Sequence, residues 1–209
     1  MNRKNEMVVP TQRQLEILTG TLLGDGHLRR NLSGTVNGKI EHGKNQREYL
    51  EWKYEQLNNL VNPIIKNNSK DKRIGDDFRR ESYSFTIKAN PALESLYLSL
   101  YKNGVKYISK ELLNNYTILS LAVHFMDDGY KCFRQYQLCT DNFTIDDIDL
   151  LRNHLLNNIG LKTSVLYRGF RKDDTPAYRI NILNRYAGLF DYLVKPYILP
   201  SLQYKLSVS

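Results

Sequence analysis

Two aspartates stand at equivalent points of a repeated pattern, and paired carboxylates placed in this way suit a divalent metal ion. Asp25 closes an apolar run over 15–23 and Asp128 an apolar run over 118–126. They lie 103 positions apart in a chain of 209, and a glycine follows each. The runs have helical spacing, so each acid falls at a helix C-terminus, against the negative end of the macrodipole, at a cost of about 0.3–1 kcal/mol. The glycines read as helix exits through the left-handed conformation. Two such helices side by side add repulsion between the acids, which a divalent cation relieves. An all-oxygen centre suits Mg²⁺, typically bound through one or two carboxylates with phosphate and water.

The helices that carry the acids can approach closely. Gly20 and Gly24 share one helix face and present no side chain there. In the second run Ser120 and Ala122 are small, while Val123 and Asp127 align with Gly20 and Gly24. Charge then narrows the substrate: 30 Lys and Arg against 22 Asp and Glu leave +8, which favours a polyanionic partner. A metal centre in a basic protein points to phosphodiester hydrolysis, with metal ions activating water and stabilising the leaving oxygen. Two equivalent centres imply two cuts, hence cleavage of both strands.

Other chemistries find little support. Cys132 and Cys139 are the only cysteines, too few for a disulfide framework or a four-thiolate zinc site. His27 and His124 adjoin the two runs, but no third His or Cys follows at zinc-like spacing, so both read as packing or hydrogen-bonding residues. The longest uncharged apolar stretch, 118–126, is less than half of the roughly 20 residues that span a bilayer. The first six residues lack an apolar signal region. The expectation is an intracellular protein with no membrane partner.

The remaining pattern supplies the elements that must position the acids. In the first half, 26–31 and 38–43 read as strands, 45–61 as a helix, 80–89 as an alternating strand, and Asn90-Pro91 opens another helix. In the second half, 130–142 reads as a hairpin and Thr144 caps a helix to about Ile159. There 163–171 and 178–183 form a strand pair, and 186–194 closes the repeat. The polar stretch 67–77 reads as an exposed loop. The expected fold is α+β, an α-β-β-α-β-β-α unit written twice over 1–105 and 106–209, with pseudo-twofold symmetry and two antiparallel sheets.

At these residues the chain resembles the LAGLIDADG homing endonucleases of the single-chain, two-motif, intron-encoded type. Residues 18–26 (LTGTLLGDG) and 121–129 (LAVHFMDDG) are similar to the two copies of the motif. The stretch Lys106-Tyr107-Ile108 through Leu112 and Asn115-Tyr116 resembles the lead-in to the second motif, and 195–200 (KPYILP) with Tyr204-Lys205-Leu206 resembles a C-terminal signature of intron-encoded members. The resemblance implies that the motif helices form the twofold interface and that Asp25 and Asp128 bind catalytic metals at the scissile phosphates. Backbone carbonyls of Gly24 and Asp127 would assist, and Lys106 and Lys205 would act as basic pocket residues. The first motif departs from the name-giving pattern, with Leu23 where an earlier acid can occur. The implied cofactor is Mg²⁺, on the order of two or three ions, with Mn²⁺ or Ca²⁺ able to substitute in binding. The implied activity is a double-strand cut with short staggered ends at a long asymmetric DNA site, serving intron homing, by a monomer.

Sheets saddling the duplex follow from the same resemblance, and a two-stranded ribbon fits the major groove. Candidate contacts are Arg29, Lys39, His42, Arg80, Ser82 and Lys88 in the first half. In the second they are Lys131, Arg134, Gln135, Tyr167, Arg168, Arg179 and Asn181. A shift of one residue in register exchanges the two faces, so pattern alone leaves base and phosphate contacts unseparated. The basic clusters 70–73, 79–80 and 168–172 suit phosphates. Two rival functions share the fold: an RNA maturase for a group I intron, and a DNA-binding regulator without cleavage. Abundant Asn, Lys, Ile and Tyr fit an AT-rich source, either an organellar (mitochondrial or plastid) genome or an AT-rich bacterium.

Overall fold

The computed structural model describes residues 8–70 and 79–206. In chain order the elements are α1 (Gln12–Leu23), β1 (His27–Arg30), β2 (Val36–Gly43), α2 (Arg47–Leu57), β3 (Ile65–Lys70), β4 (Arg79–Ile87) and α3 (Pro91–Leu100). There follow β5 (Tyr101–Lys102), β6 (Val105–Lys106), α4 (Lys110–Leu113), α5 (Ile118–Asp128), β7 (Gly129–Cys132) and β8 (Gln135–Leu138). The chain ends with α6 (Ile145–His154), β9 (Thr163–Phe170), β10 (Pro176–Ile182) and α7 (Ala187–Val194). Two short 3-10 turns, Lys195–Tyr197 and Pro200–Lys205, follow α7.

These elements group into two compact units. The first takes the chain up to Gln14 together with Gly26–Tyr97. Its sheet has strand order β1-β2-β4-β3, antiparallel throughout. Alternation in β2 buries Val36, Gly38, Ile40 and His42, and Phe85 and Ile87 of β4 join them in a core closed by Tyr49, Leu50 and Leu57 of α2. Asn90 caps α3, its Oδ1 accepting the Leu93 N–H at 3.1 Å. Pro91 at the first helical position suits that start.

The second unit takes Leu15–Asp25 and the chain from Leu98 onward. Its sheet has order β7-β8-β10-β9, the same connection of strands as in the first unit. Tyr136, Leu138, Ile180 and Ile182 line its inner face. There Phe125 of α5 meets Tyr136 and Phe190 edge-on at 5.5 and 4.9 Å. Thr144 and Asp147 form a capping box at the start of α6, and Asp147 also accepts the Ile108 N–H at 2.8 Å. A π-helical turn, Leu155–Ile159, extends α6 to Gly160 at φ 83°.

The structure bears out the α+β fold and the order of elements, with differences of detail. Asn67–Lys70, read from its polar composition as loop, belongs to β3 and pairs with Arg79–Ser82; an edge strand tolerates polar residues because its outer flank meets water. Asp71, Lys72, Arg73 and the rest of 71–78 lie outside the described residues. The helix expected over 45–61 is α2, flanked by 3-10 turns at Lys44–Gln46 and Asn58–Leu60. Gly129 does not leave α5 through a left-handed conformation: its φ is −98° and its ψ 157°. Glycine is needed there for space, because a Cβ would stand 2.1 Å from Phe125 Cδ2 and 2.7 Å from the Phe125 carbonyl oxygen.

Candidate active site

Residues 15–23 of α1 and all of α5 lie in the second unit, and their contact positions the acids. A Cβ on Gly20 would fall 2.4 Å from the Ser120 carbonyl oxygen and 2.9 Å from Val123 Cβ, and one on Gly24 would fall 2.5 Å from Asp127 Cβ. The two glycines therefore let α1 rest on α5 at Ser120, Val123 and Asp127. Ser120 adds a polar link missed by pattern reasoning. Its Oγ lies 2.8 Å from the Glu16 carbonyl oxygen on α1 and 2.7 Å from that of Asn115.

The acids come together at the ends of these helices. Asp25 is exposed, Asp128 half-buried and Asp127 buried. Burial, reinforced by the Asp25 carboxylate, pushes Asp128 up to about 6, against the opposing pull of Lys205 and Lys106. Asp127 was expected to contribute its carbonyl, yet its side chain also reaches the centre, with a carboxylate oxygen within 4.8 Å of one from Asp25. These two carboxylates, with Asp128 beside them, repel one another, and carboxylate oxygens suit a hard divalent cation.

A lysine closes each motif helix. Lys106, at the end of β6, donates from Nζ to the Leu22 carbonyl of α1 at 2.7 Å. Lys205, in the last 3-10 turn, donates to the Met126 carbonyl of α5 at 2.6 Å, with those of Phe125 and Asp127 at 3.4 and 3.5 Å. Helix-terminal carbonyls attract cations, so these ammonium groups already offset part of the strain that the sequence assigned to a metal. Burial pulls Lys106 down to about 8 even though Asp128, Asp25 and Asp127 oppose it, and burial lowers Lys205 in the same way. His124 is a packing residue. It is fully buried, its Nδ1 lies 3.0 Å from the Tyr116 hydroxyl, and burial, with Lys106 adding to it, holds it near 3, so it is neutral.

Register separates the expected DNA contacts into two groups. On the first sheet Arg29 pairs with Asn37, and Lys39 with Thr86, on the face opposite the core. Arg80 is exposed and Ser82 buried, with its hydroxyl bonded to Glu41. Lys88 is exposed one residue beyond β4. His42 does not join them: it sits on the core side, 2% exposed, with its ring 5.1 Å from Tyr49 and Nε2 3.2 Å from Lys53 Nζ. Even alternation along β2 puts it one residue out of step with Lys39.

On the second sheet Gln135, Arg179 and Asn181 share the outer face with Tyr130 and Gln137. Arg179 is held there by Asp141 at 3.0 Å and by the Tyr130 hydroxyl at 2.8 Å. Lys131 pairs with Tyr136 and Tyr167 with Tyr178, both in the register of the inner face. Arg134 lies exposed in the turn after β7, and Arg168 is exposed on β9. Asp141, Tyr130 and Gln137 were missed. Tyr130 and Gln137 were within reach of pattern reasoning once β7 and β8 were aligned, because they pair with each other.

Acids at the ends of two close-packed helices, in a chain whose two units each carry a four-stranded antiparallel sheet of the same strand order, define the class of fold. The profile of the LAGLIDADG DNA endonuclease family matches residues 15–189, and the chain belongs to that family. In structure it is similar to the homing endonuclease I-WcaI bound to its DNA recognition sequence, at 26% identity and a TM-score of 0.84, covering 99% of this chain and 91% of that one. The fold is shared with I-DmoI in complex with DNA and Mn, at 12% identity and a TM-score of 0.51, over 90% and 99% of the two chains. Among curated relatives it is 29% identical to protein RecA of Mycolicibacterium chitae, over 94% of this chain and 47% of that protein. It is also 29% identical to the cytochrome b mRNA maturase bI2 of Saccharomyces cerevisiae, over 92% and 47%. The chain thus spans about half the length of these two relatives. No helix among the described residues is long and apolar enough to cross a membrane.

Proposed function

We propose that the chain is a site-specific endonuclease that hydrolyses both strands of a long, asymmetric DNA duplex with Mg²⁺, leaving short staggered ends. The observation that carries this reading is the convergence of Asp25, Asp127 and Asp128 with Lys106 and Lys205 at the ends of two helices in glycine-mediated contact. The likeness to I-WcaI bound to its recognition sequence supports duplex DNA as the partner. Asp25 and Asp128 would hold the cation, with the Gly24 and Asp127 carbonyls and the Asp127 carboxylate beside them. When bound, a divalent ion supplies an activated water and neutralises charge on the leaving oxygen.

The chain's own groups do the rest. Lys106 Nζ and Lys205 Nζ, fixed by helix-terminal carbonyls, stand preorganised to stabilise negative charge developing on a phosphate, the role of oriented cations in such sites. Arg29, Lys39, Arg80, Gln135, Arg179 and Asn181 are the residues we assign to the duplex. Arg179, held by Asp141 and Tyr130, presents a guanidinium of fixed direction, as bidentate reading of a guanine requires. A maturase reading is kept second, favoured by the likeness to the cytochrome b mRNA maturase, and a mitochondrial or plastid source accords with it.

Cleavage of a randomised duplex library with and without Mg²⁺ tests the proposal. One long sequence recovered as metal-dependent double-strand ends supports it; specific binding without cleavage in any divalent metal would sink it. The pH profile gives a second check. The reading needs Asp128 ionised and Lys106 charged, so the rate rises through about pH 6 and falls above about pH 8, changing roughly tenfold per pH unit on each limb. Metal binding favours the carboxylate and draws the lower limb to more acid pH as its concentration rises. A flat profile across this range contradicts the assignment.

A further inference from the structure

The far end of the β9–β10 hairpin carries a feature that duplex cleavage does not use. Tyr167 and Phe170 are 51% and 70% exposed, although large rings are ordinarily drawn into the core. They are three residues apart on one strand, and regular alternation would put them on opposite faces. A bulge prevents this. Tyr167 pairs with Tyr178 and Phe170 with Pro176, so two residues of β9, Arg168 and Gly169, oppose the single Ala177. Gly169 takes φ 96°, a conformation that side chains rarely adopt. The bulge thus returns Phe170 to the face of Tyr167, and the rings gather: Tyr167 lies 5.9 Å from Phe170 and 5.7 Å from Tyr178. Bulges are built features that re-aim side chains.

That face is the one opposite Gln135, Arg179 and Asn181, since Tyr178 and Tyr167 continue the register of Ile180 and Val165. A duplex gripped by the outer face therefore does not meet these rings, and a duplex presents base edges in its grooves, whereas rings need base faces. Exposed Arg168 and Lys172 flank the cluster. The nearby Asp173 carboxylate is occupied by Thr175, which donates from Oγ1 at 2.5 Å and from its backbone N–H at 3.2 Å. Aromatic rings interleaved with cations match unpaired nucleotides, whose bases stack while their phosphates are neutralised. In a cell whose DNA is paired, such nucleotides are displayed by the loops and bulges of folded RNA.

We propose that Tyr167, Phe170 and Tyr178, with Arg168 and Lys172, form a stacking platform for an unpaired stretch of RNA, on the sheet face opposite the DNA-reading residues. This does not rest on the cleavage reading. The test measures binding of a fluorescent RNA hairpin with a loop of unpaired uridines to the full chain, beside the same stem closed as a continuous duplex and a cognate DNA duplex. Phe170→Ala is expected to weaken binding of the looped hairpin about five- to tenfold, and Phe170→Trp to keep it within about twofold. DNA duplex affinity should stay within about twofold of wild type, and the thermal midpoint of an exposed-site variant should hold. Unchanged RNA affinity in Phe170→Ala overturns the platform. Equal losses for RNA and duplex DNA overturn it too, by making Phe170 a DNA contact, and failure of cleavage with the RNA effect intact removes only the nuclease reading.

Discussion

Gly20→Val is expected to lower the thermal midpoint by about 6–12 °C and to abolish cleavage with it. The new Cβ would stand 2.4 Å from a backbone oxygen of α5, and backbone cannot step aside as a flexible side chain can. Overpacking of this kind costs about 1–3 kcal/mol, occasionally more; near the upper end, at about 2–4 °C per kcal/mol for a chain of this size, the shift follows. Relief by moving α1 away from α5 would part Asp25 from Asp128, so function falls beyond the loss of stability. Gly188→Ala is the control. It lies in α7, nothing stands within 4 Å of its would-be Cβ, and helix propensity makes the change neutral or stabilising by about 0.4–1 kcal/mol. Thermal unfolding of the two variants beside wild type checks the pair, and equal midpoints would refute the close helix contact.

Asp128→Asn is expected to raise stability while removing activity. Without metal, the native state holds the Asp128 proton up to about pH 6, above the ordinary carboxylate value of 3.8. The native state therefore binds more protons than the unfolded chain between these values, and stability falls as pH rises through them. Above about pH 6 the ionised acid costs stability, up to about 3 kcal/mol at 1.36 kcal/mol per pH unit; partial exposure discounts this to about 1–2 kcal/mol. Asparagine escapes that cost, so the metal-free variant should melt about 2–8 °C higher than wild type near pH 7.5. The advantage should vanish near pH 4, where the wild-type acid is neutral. Cleavage should drop at least about a hundredfold. Melting curves at the two pH values decide it: a variant less stable than wild type at pH 7.5 would show that Asp128 contributes structure rather than strain.

Much of this was legible in the sequence because duplication exposed it. Asp25 and Asp128 stood out through their common spacing from apolar runs, and Gly20 and Gly24 announced the helix contact that the structure shows. Strand register was harder. The inward turn of His42 and the inner-face register of Lys131 depend on which residue of a strand meets the core, and one step reverses the answer. Tyr167 and Phe170 were further out of reach, because only the bulge at Gly169 puts them on one face. The lysines came from resemblance alone; nothing in composition says that Lys106 and Lys205 will reach helix-terminal carbonyls 84 and 79 residues away. Long-range capping leaves no local signal.

Asp25 and Asp128 are both expected to serve metal-dependent cutting of DNA. The most direct test is the conversion of a supercoiled plasmid carrying the selected target by wild type, Asp25→Asn and Asp128→Asn in Mg²⁺. Linear product is expected from wild type, and only nicked or uncut plasmid from either variant. Linear product from both variants at the wild-type rate would contradict that role for the two acids.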